Sequence, residues 1–148
     1  SIMAYPVLAI ANKLLASATD YDGGELMSNM KLQKMLYYQQ GYHLAAFGTP
    51  LFDEDIEAWM YGPVVPCVYD HFKAFGAGGI EPEIERPLSL TEEEESLFHD
   101  VFNAYINFSA VGLMEKTHGE SPWLTTPTGV GHVIDKDKLR MFFMKQLA

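Results

Sequence analysis

Few residues in this chain are placed to carry out a reaction. The one cysteine, Cys67, lies four residues before His71, a spacing that puts both on one face of a helix. Two soft ligands do not make a zinc site, and no third lies at a recognised spacing. As a nucleophile and base they lack an electropositive setting, and Asp70 opposes a low thiol pKa. A packed thiol beside a surface histidine is the simpler reading. Asp20-x-Asp22-Gly23 opens like a calcium loop but lacks the twelve-residue frame and the closing bidentate Glu, so turn chemistry accounts for it. No glycine-rich phosphate loop, nucleophile elbow or His-Glu-x-x-His is present. Glu57, Glu115 and Glu120 show no pairing that spacing alone reveals. The reading therefore assigns no catalytic residue, no metal ligand set and no cofactor. The alternative is a small-ligand binder or hydrolytic enzyme in which Gln39, His43, Tyr61 and His118 converge on a pocket.

Two short segments are better suited to contact than to catalysis. One is Glu57-Ala58-Trp59-Met60-Tyr61-Gly62-Pro63-Val64, where large aromatics meet a stiff turn; the other is Thr117-His118-Gly119-Glu120-Ser121-Pro122-Trp123. Trp and Tyr offer much contact area with few torsions to freeze, so they serve well as interface anchors. Trp59, Tyr61, Pro63, His118 and Trp123 are the candidate partner contacts. The competing role for Trp59 and Trp123 is to plug the gap between a strand pair and the helices.

The elements that must position these segments follow from periodicity and punctuation. After Pro6, the residues Val7, Ile10, Ala11, Leu14 and Ala18 recur at helical spacing, with Asn12, Lys13 and Ser17 on the other side. Thr19 to Gly24 is a turn cluster. A longer helix runs from an N-cap at Ser28 to a stop at Gly48. Its expected inward stripe is Leu32, Met35, Leu36, Gln39, Tyr42, His43, Ala46 and Phe47. Gln39 and His43 sit in that stripe as polar groups needing partners, either backbone groups of another element or a shared cavity. Gly41 in mid-helix costs about 1 kcal/mol relative to Ala, which makes sense if another segment crosses close by. From Ile56 to Tyr61 the period falls to two, predicting a strand that turns at Gly62-Pro63. A helix opens near Pro66 and runs to Gly76, with Val68, Tyr69, Phe72 and Phe75 on one side. Ile80 to Ile84 reads as a second short strand, confined to an edge by Pro82. Thr91-Glu92-Glu93-Glu94 is a capping box, and Glu92 to Glu95 all face the positive end of the helix dipole. That helix buries Leu97, Phe98, Val101, Phe102, Tyr105 and Phe108. A further helix spans Val111 to Thr117, Ser121 to Gly131 is a loop, and Asp135 caps a last helix with Leu139, Phe142, Phe143 and Leu147 inward. The sum is a mainly α, compact single domain of five or six helices with a small two- or three-stranded β element. Its span is taken as 3–148, since Ser1 and Ile2 ahead of Met3 read as a cloning remnant.

Composition narrows the function classes. Of 148 residues, 48% are hydrophobic and 13% aromatic, which excludes general disorder. No stretch approaches the roughly 20 apolar residues that span a bilayer, and no charged-then-apolar signal segment leads the chain. One cysteine excludes an intrachain disulfide and fits a reducing compartment, so a cytoplasmic location is expected. The net charge of −10 arises in the middle third: residues 51–100 hold thirteen acids against Lys73 and Arg86. Such a surface repels phosphate backbones, which ranks direct nucleic-acid binding lowest. The acidic band reads first as a solvated face and second as a surface for a basic partner.

At the motif residues the chain resembles a known family. Met30 to Ala45, with Leu32-Gln33-Lys34-Met35-Leu36-Tyr37-Tyr38-Gln39-Gln40-Gly41 at its centre, is similar to the signature helix of the Panacea domain, the SocA-like antitoxin family of bacteria and phages. The likeness continues through Pro50 to Trp59 and Tyr61 to Pro66, and returns at Leu113 and at Thr117 to Trp123. Segments 76–88 and 125–131 match nothing in the pattern. The resemblance implies an antitoxin of a two-gene toxin–antitoxin pair, often carried by prophages and other mobile elements. It also implies direct binding of a cognate toxin protein and, in one member, delivery of that toxin to an ATP-dependent protease. It carries no catalytic residues, supports a mainly helical fold, and leaves homo-oligomerisation open.

Overall fold

The computed structural model describes residues 4–21 and 24–148. The expected cloning remnant, Ser1 and Ile2, and residues Asp22 and Gly23 of the first turn cluster lie outside the described residues. Among the described residues, seven α-helices and one short hairpin make up the regular structure. They are α1 (Val7–Asp20), α2 (Asn29–Phe47), β1 (Glu57–Trp59), β2 (Gly62–Val64), α3 (Pro66–Phe72), α4 (Glu92–Tyr105), α5 (Ala110–His118), α6 (Ser121–Leu124) and α7 (Lys136–Leu147). A 3₁₀ turn, Lys73–Phe75, extends α3 to Gly76. No helix is long and apolar enough to cross a membrane among the described residues.

Helix α2 is the axis of the domain. The Ser28 hydroxyl accepts from the Lys31 N–H, and Gly48 at φ +74° closes the other end. From Leu32 to Gly41 every residue is buried, because α1, α4, α5, α7 and the hairpin pack around it. The expected one-sided stripe is thus corrected: Ala46 and Phe47 are exposed, and Gln33, Lys34, Tyr37, Tyr38 and Gln40 are inside. A helix surrounded by neighbours has no water-facing side on which to leave its polar residues. Gly41 answers the expected close crossing. A Cβ built there would fall 2.1–2.2 Å from the Phe143 ring of α7.

Helix α1 is buried on two sides as well. Asn12 and Lys13, expected to face water, are covered by the segment that precedes α4. Asn12 accepts from the Glu83 N–H at 2.7 Å and donates to the Glu83 carboxylate. Lys13 Nζ donates to the Leu88 carbonyl at 2.6 Å and pairs with Glu95 at 2.7 Å. These bonds fasten 81–90 along α1 as an irregular strap. The second strand expected there reduces to one bridge between Ile80 and Met27.

The hairpin also turns earlier than expected. Met60 and Tyr61 form the tip, while Gly62 and Pro63 lie inside β2, paired with Trp59 and Ala58. Among the described residues no non-glycine has positive φ, and Gly62 at φ +106° absorbs the backbone strain of the tight turn. The segment 129–134 runs beside β1. Ala58 N–H donates to the His132 carbonyl at 2.9 Å, and Ile134 N–H to the Ile56 carbonyl at 2.8 Å.

The Thr91–Glu94 capping box and the Asp135 cap are present as expected. Helix α4 stops at Tyr105, leaving Phe108 exposed, and Ser109 caps α5. The expected 121–131 loop begins with the single-turn α6. Phe75 and Leu147 are exposed rather than inward, and Cys67 is an exposed thiol, not a packed one. Partial desolvation, followed by the nearby Glu54 charge, pushes that thiol's pKa up.

Replacing Gly41 by Ala should therefore destabilise the domain by about 1–3 kcal/mol through overpacking, despite a helix-propensity gain of about 1 kcal/mol. Urea unfolding of Gly41→Ala measures this, and pairing it with Phe143→Leu should recover part of the loss.

Candidate functional site

The two aromatic segments singled out by the sequence meet in space. Trp123 Nε1 donates to the Trp59 carbonyl at 2.8 Å, and the Trp123 ring stacks on His118 with centroids 4.0 Å apart. Trp59 donates from its own Nε1 to Glu57 at 2.9 Å and meets Tyr69 edge-on at 5.1 Å. Glu57 also accepts from the Gly131 N–H at 2.7 Å, which holds the 129–131 turn against the hairpin.

The signature helix joins them through a lysine. Lys34 Nζ donates to the Pro63 carbonyl at 3.2 Å. A Cβ on Gly62 would stand 2.6 Å from Lys34 Cε and 3.0 Å from Thr117 Oγ1. Glycine is thus required at 62 for contact as well as for its positive φ. Gln33 extends the same joint: its Oε1 accepts from the Val65 N–H at 2.9 Å, and its amide donates to Asn29, which donates in turn to the Tyr69 carbonyl.

Behind this junction Glu120 is buried and accepts from the Tyr37 hydroxyl at 3.0 Å and the Tyr38 hydroxyl at 3.1 Å. Burial pushes its carboxyl upward, against the lowering pull of the two tyrosines, and burial together with the Glu120 charge raises both phenols. Tyr38 stacks on Tyr105 at 3.9 Å. The arrangement pins the loop after α5 to α2 and so fixes where Trp123 emerges.

Above the Lys34–Pro63 contact lies an apolar groove of about 820 Å³. Met30 and Lys34 of α2, Trp59, Met60 and Tyr61 of the hairpin and Val130 line it, among others. Its rim is open to water: Met60 is 67% exposed, Tyr61 60% and Val130 79%. Apolar side chains gathered at one place on a soluble surface mark a contact site more often than scattered ones do.

Of the sequence candidates, Trp59 and Tyr61 line this groove. Trp123 and His118 are half-buried beside the hairpin, and the His118 Nε2 is buried with no hydrogen-bond partner. Pro63 is buried within β2, where it offers its carbonyl to Lys34. Gln39 and His43 are elsewhere, on the side of α2 that faces α4. Gln39 donates to the Phe98 carbonyl at 3.0 Å, and His43 Nδ1 bonds the Thr49 carbonyl at 2.6 Å. His43 Nε2 bonds Glu94 at 2.6 Å, a carboxylate that also accepts from Tyr5 and Thr91. Burial pushes Glu94 up, but those hydrogen bonds prevail and hold it at about 2. Both residues thus serve neighbouring elements rather than sharing a pocket with Tyr61. Sequence reasoning missed Lys34, Met60, Val130 and Glu120. The available signal was a helix whose aromatic and polar residues fall on every side, which requires burial all round.

Cys67 and His71 do not form a pair with a third ligand; His71 bonds Glu83 at 3.0 Å. No group of three His, Cys, Asp or Glu side chains is placed to hold a metal ion among the described residues. Five acids of the band, Glu83, Glu95, Glu94, Glu57 and Asp55, are engaged within the fold by Asn12, Lys13, His43, Trp59 and Lys136.

The geometry defines a helical domain whose hairpin walls an open aromatic groove. Residues 32–124 match the family described as Antitoxin SocA-like, Panacea domain, and the chain belongs to that family. An antitoxin SocA from Caulobacter vibrioides (strain NA1000 / CB15N) is 46% identical over 68 residues, covering 46% of this chain and 35% of that protein. The chain thus spans about a third of that relative's length. No solved structure matches. Both α1 and α7 lie outside the matched residues, yet both pack on α2.

Lys34 has a measurable signature. Burial lowers its pKa to about 7 from 10.5. The folded chain then releases this proton before the unfolded chain does, so the lysine detracts from stability below pH 7 and less and less toward pH 10.5. Lys34→Met should be more stable than the parent at pH 6, with the difference shrinking as pH rises through 7 to 10. Thermal melts across that range check this, and a difference independent of pH contradicts it.

Proposed function

We propose that this domain is the neutralising partner of a cognate toxin protein, which it masks by direct contact at the Trp59–Tyr61 groove. The carrying observation is the exposed Met60–Tyr61 tip over that groove, held rigidly by Trp123, Glu57 and Lys34. A rigid aromatic edge beside a concave apolar floor loses little conformational entropy on binding, and central aromatic anchors dominate interface energetics. Family membership supports the antitoxin role. The Gln39–His43 enzyme reading has no corresponding support, since their polar atoms are engaged with α4 and the 49–52 loop. Delivery of the bound toxin to an ATP-dependent protease is the further step in this proposal.

Co-expression with the product of the adjacent gene provides the test. The parent chain should restore growth and co-purify with that product; protease delivery would show as loss of the toxin instead of a stable complex. Tyr61→Asp and Met60→Asp should leave the melting temperature nearly unchanged, since exposed substitutions usually move stability by within about 0.5 kcal/mol. They should weaken the complex by about 2 kcal/mol or more and lose the rescue. Full rescue by both variants, or none by the parent, contradicts the proposal.

A further inference from the structure

Lys34 is 1% exposed, and its hydrogen-bond partner is one neutral carbonyl. No carboxylate forms an ion pair with it among the described residues. A buried ammonium without a counter-charge is costly, and removal from water lowers its pKa accordingly. The other cation at the groove is Lys73, on the rim, 3.8 Å from the exposed Asp70. The groove is thus lined by two lysines and by no acid among the described residues, in a chain whose net charge is −10. The charges of its lining oppose those of the molecule as a whole.

We infer that the groove receives a segment of the partner polypeptide in which a large apolar residue stands next to a carboxylate, the apolar group packing between Met30, Trp59 and Tyr61 and the carboxylate pairing with Lys34. This rests on the groove's being the toxin-contacting surface and names what that surface reads. An ammonium held in an apolar wall favours an anion that brings its own hydrocarbon and displaces water. A polypeptide fits better than a small amphipathic acid because the exposed apolar rim of Met60, Tyr61 and Val130 would stay wet around a small ligand. The inference reverses the charge logic of the acidic band: recognition here selects an acidic element of the partner, not a basic one.

A random dodecapeptide display library, selected on the whole protein, tests this without the toxin. The expected consensus places Asp, Glu or a chain-terminal carboxylate beside Phe, Leu, Ile or Trp. A synthetic consensus peptide should bind Lys34→Met at least ten times more weakly, and Tyr61→Asp should lose it. Lys34→Gln, which keeps a donor for the Pro63 carbonyl and removes the charge, replaces Lys34→Met if the latter melts early; it should show the same loss. Sodium decanoate and decanol are the small-molecule arm. Consensus peptides without an acid, peptides that bind both Lys34 variants as well as the parent, or decanoate binding with no peptide enriched would each overturn the inference. Rescue of growth by the parent with equal rescue and equal peptide affinity in Lys34→Gln refutes this inference and leaves toxin masking standing. Peptide binding as expected with no growth rescue does the reverse.

Discussion

The whole domain depends on the burial of α2 with its polar side chains satisfied. A 19-residue helix with neighbours around it must place Asn, Gln, Lys and His groups inside, and each would cost a few kcal/mol there without a partner. The structure resolves this by making every such group a tie. Gln40 holds the 51–52 backbone through a donated and an accepted bond, each 2.7 Å. Gln33 fixes Val65, Gln39 fixes α4 at Phe98, and His43 joins Thr49 to the start of α4 through Glu94. The connections between elements are therefore anchored to one helix instead of to one another. Satisfied polar networks of this kind specify one arrangement more than they add stability.

The groove is a consequence of the same rule. Lys34 can be buried only because Pro63 turns its carbonyl toward α2, and Pro63 can do so only because Gly62 accommodates both the lysine and Thr117. Thr117 and Glu120 belong to the segment that places Trp123 against the hairpin. A small set of contacts thus converts three separate stretches of sequence into one rigid wall. It leaves Met60 and Tyr61 outside with no internal use for their surface.

Local signals in the sequence were sufficient for the element ends. Ser28, Thr91 and Asp135 cap as their types demand, and Gly48 and Gly41 mark a stop and a crossing. What local signals could not give was which polar residues lie inside. Asn12 and Lys13 read as solvent-facing because the strap that covers them, 81–90, has no periodicity to announce it. Lys34 falls outside the expected inward stripe, and its type gives no hint of burial, since lysine is almost never fully buried. Gly62-Pro63 resembled a turn because glycine and proline usually punctuate; here the glycine serves a tertiary contact. Trp59 and Tyr61, singled out by type alone, line the groove, and Trp123 braces it, whereas no local signal singles out Glu120, which fixes the approach of Trp123. Its two tyrosine partners are more than 80 residues away in sequence.

Hydrogen exchange on the complex with the adjacent-gene product addresses the central claim most directly. The account predicts new protection at 57–64 and 128–131, with the amides of α2 equally slow before and after binding. Protection confined to the exposed acids of α4, or exchange that shows α2 opening to admit the partner, would contradict it.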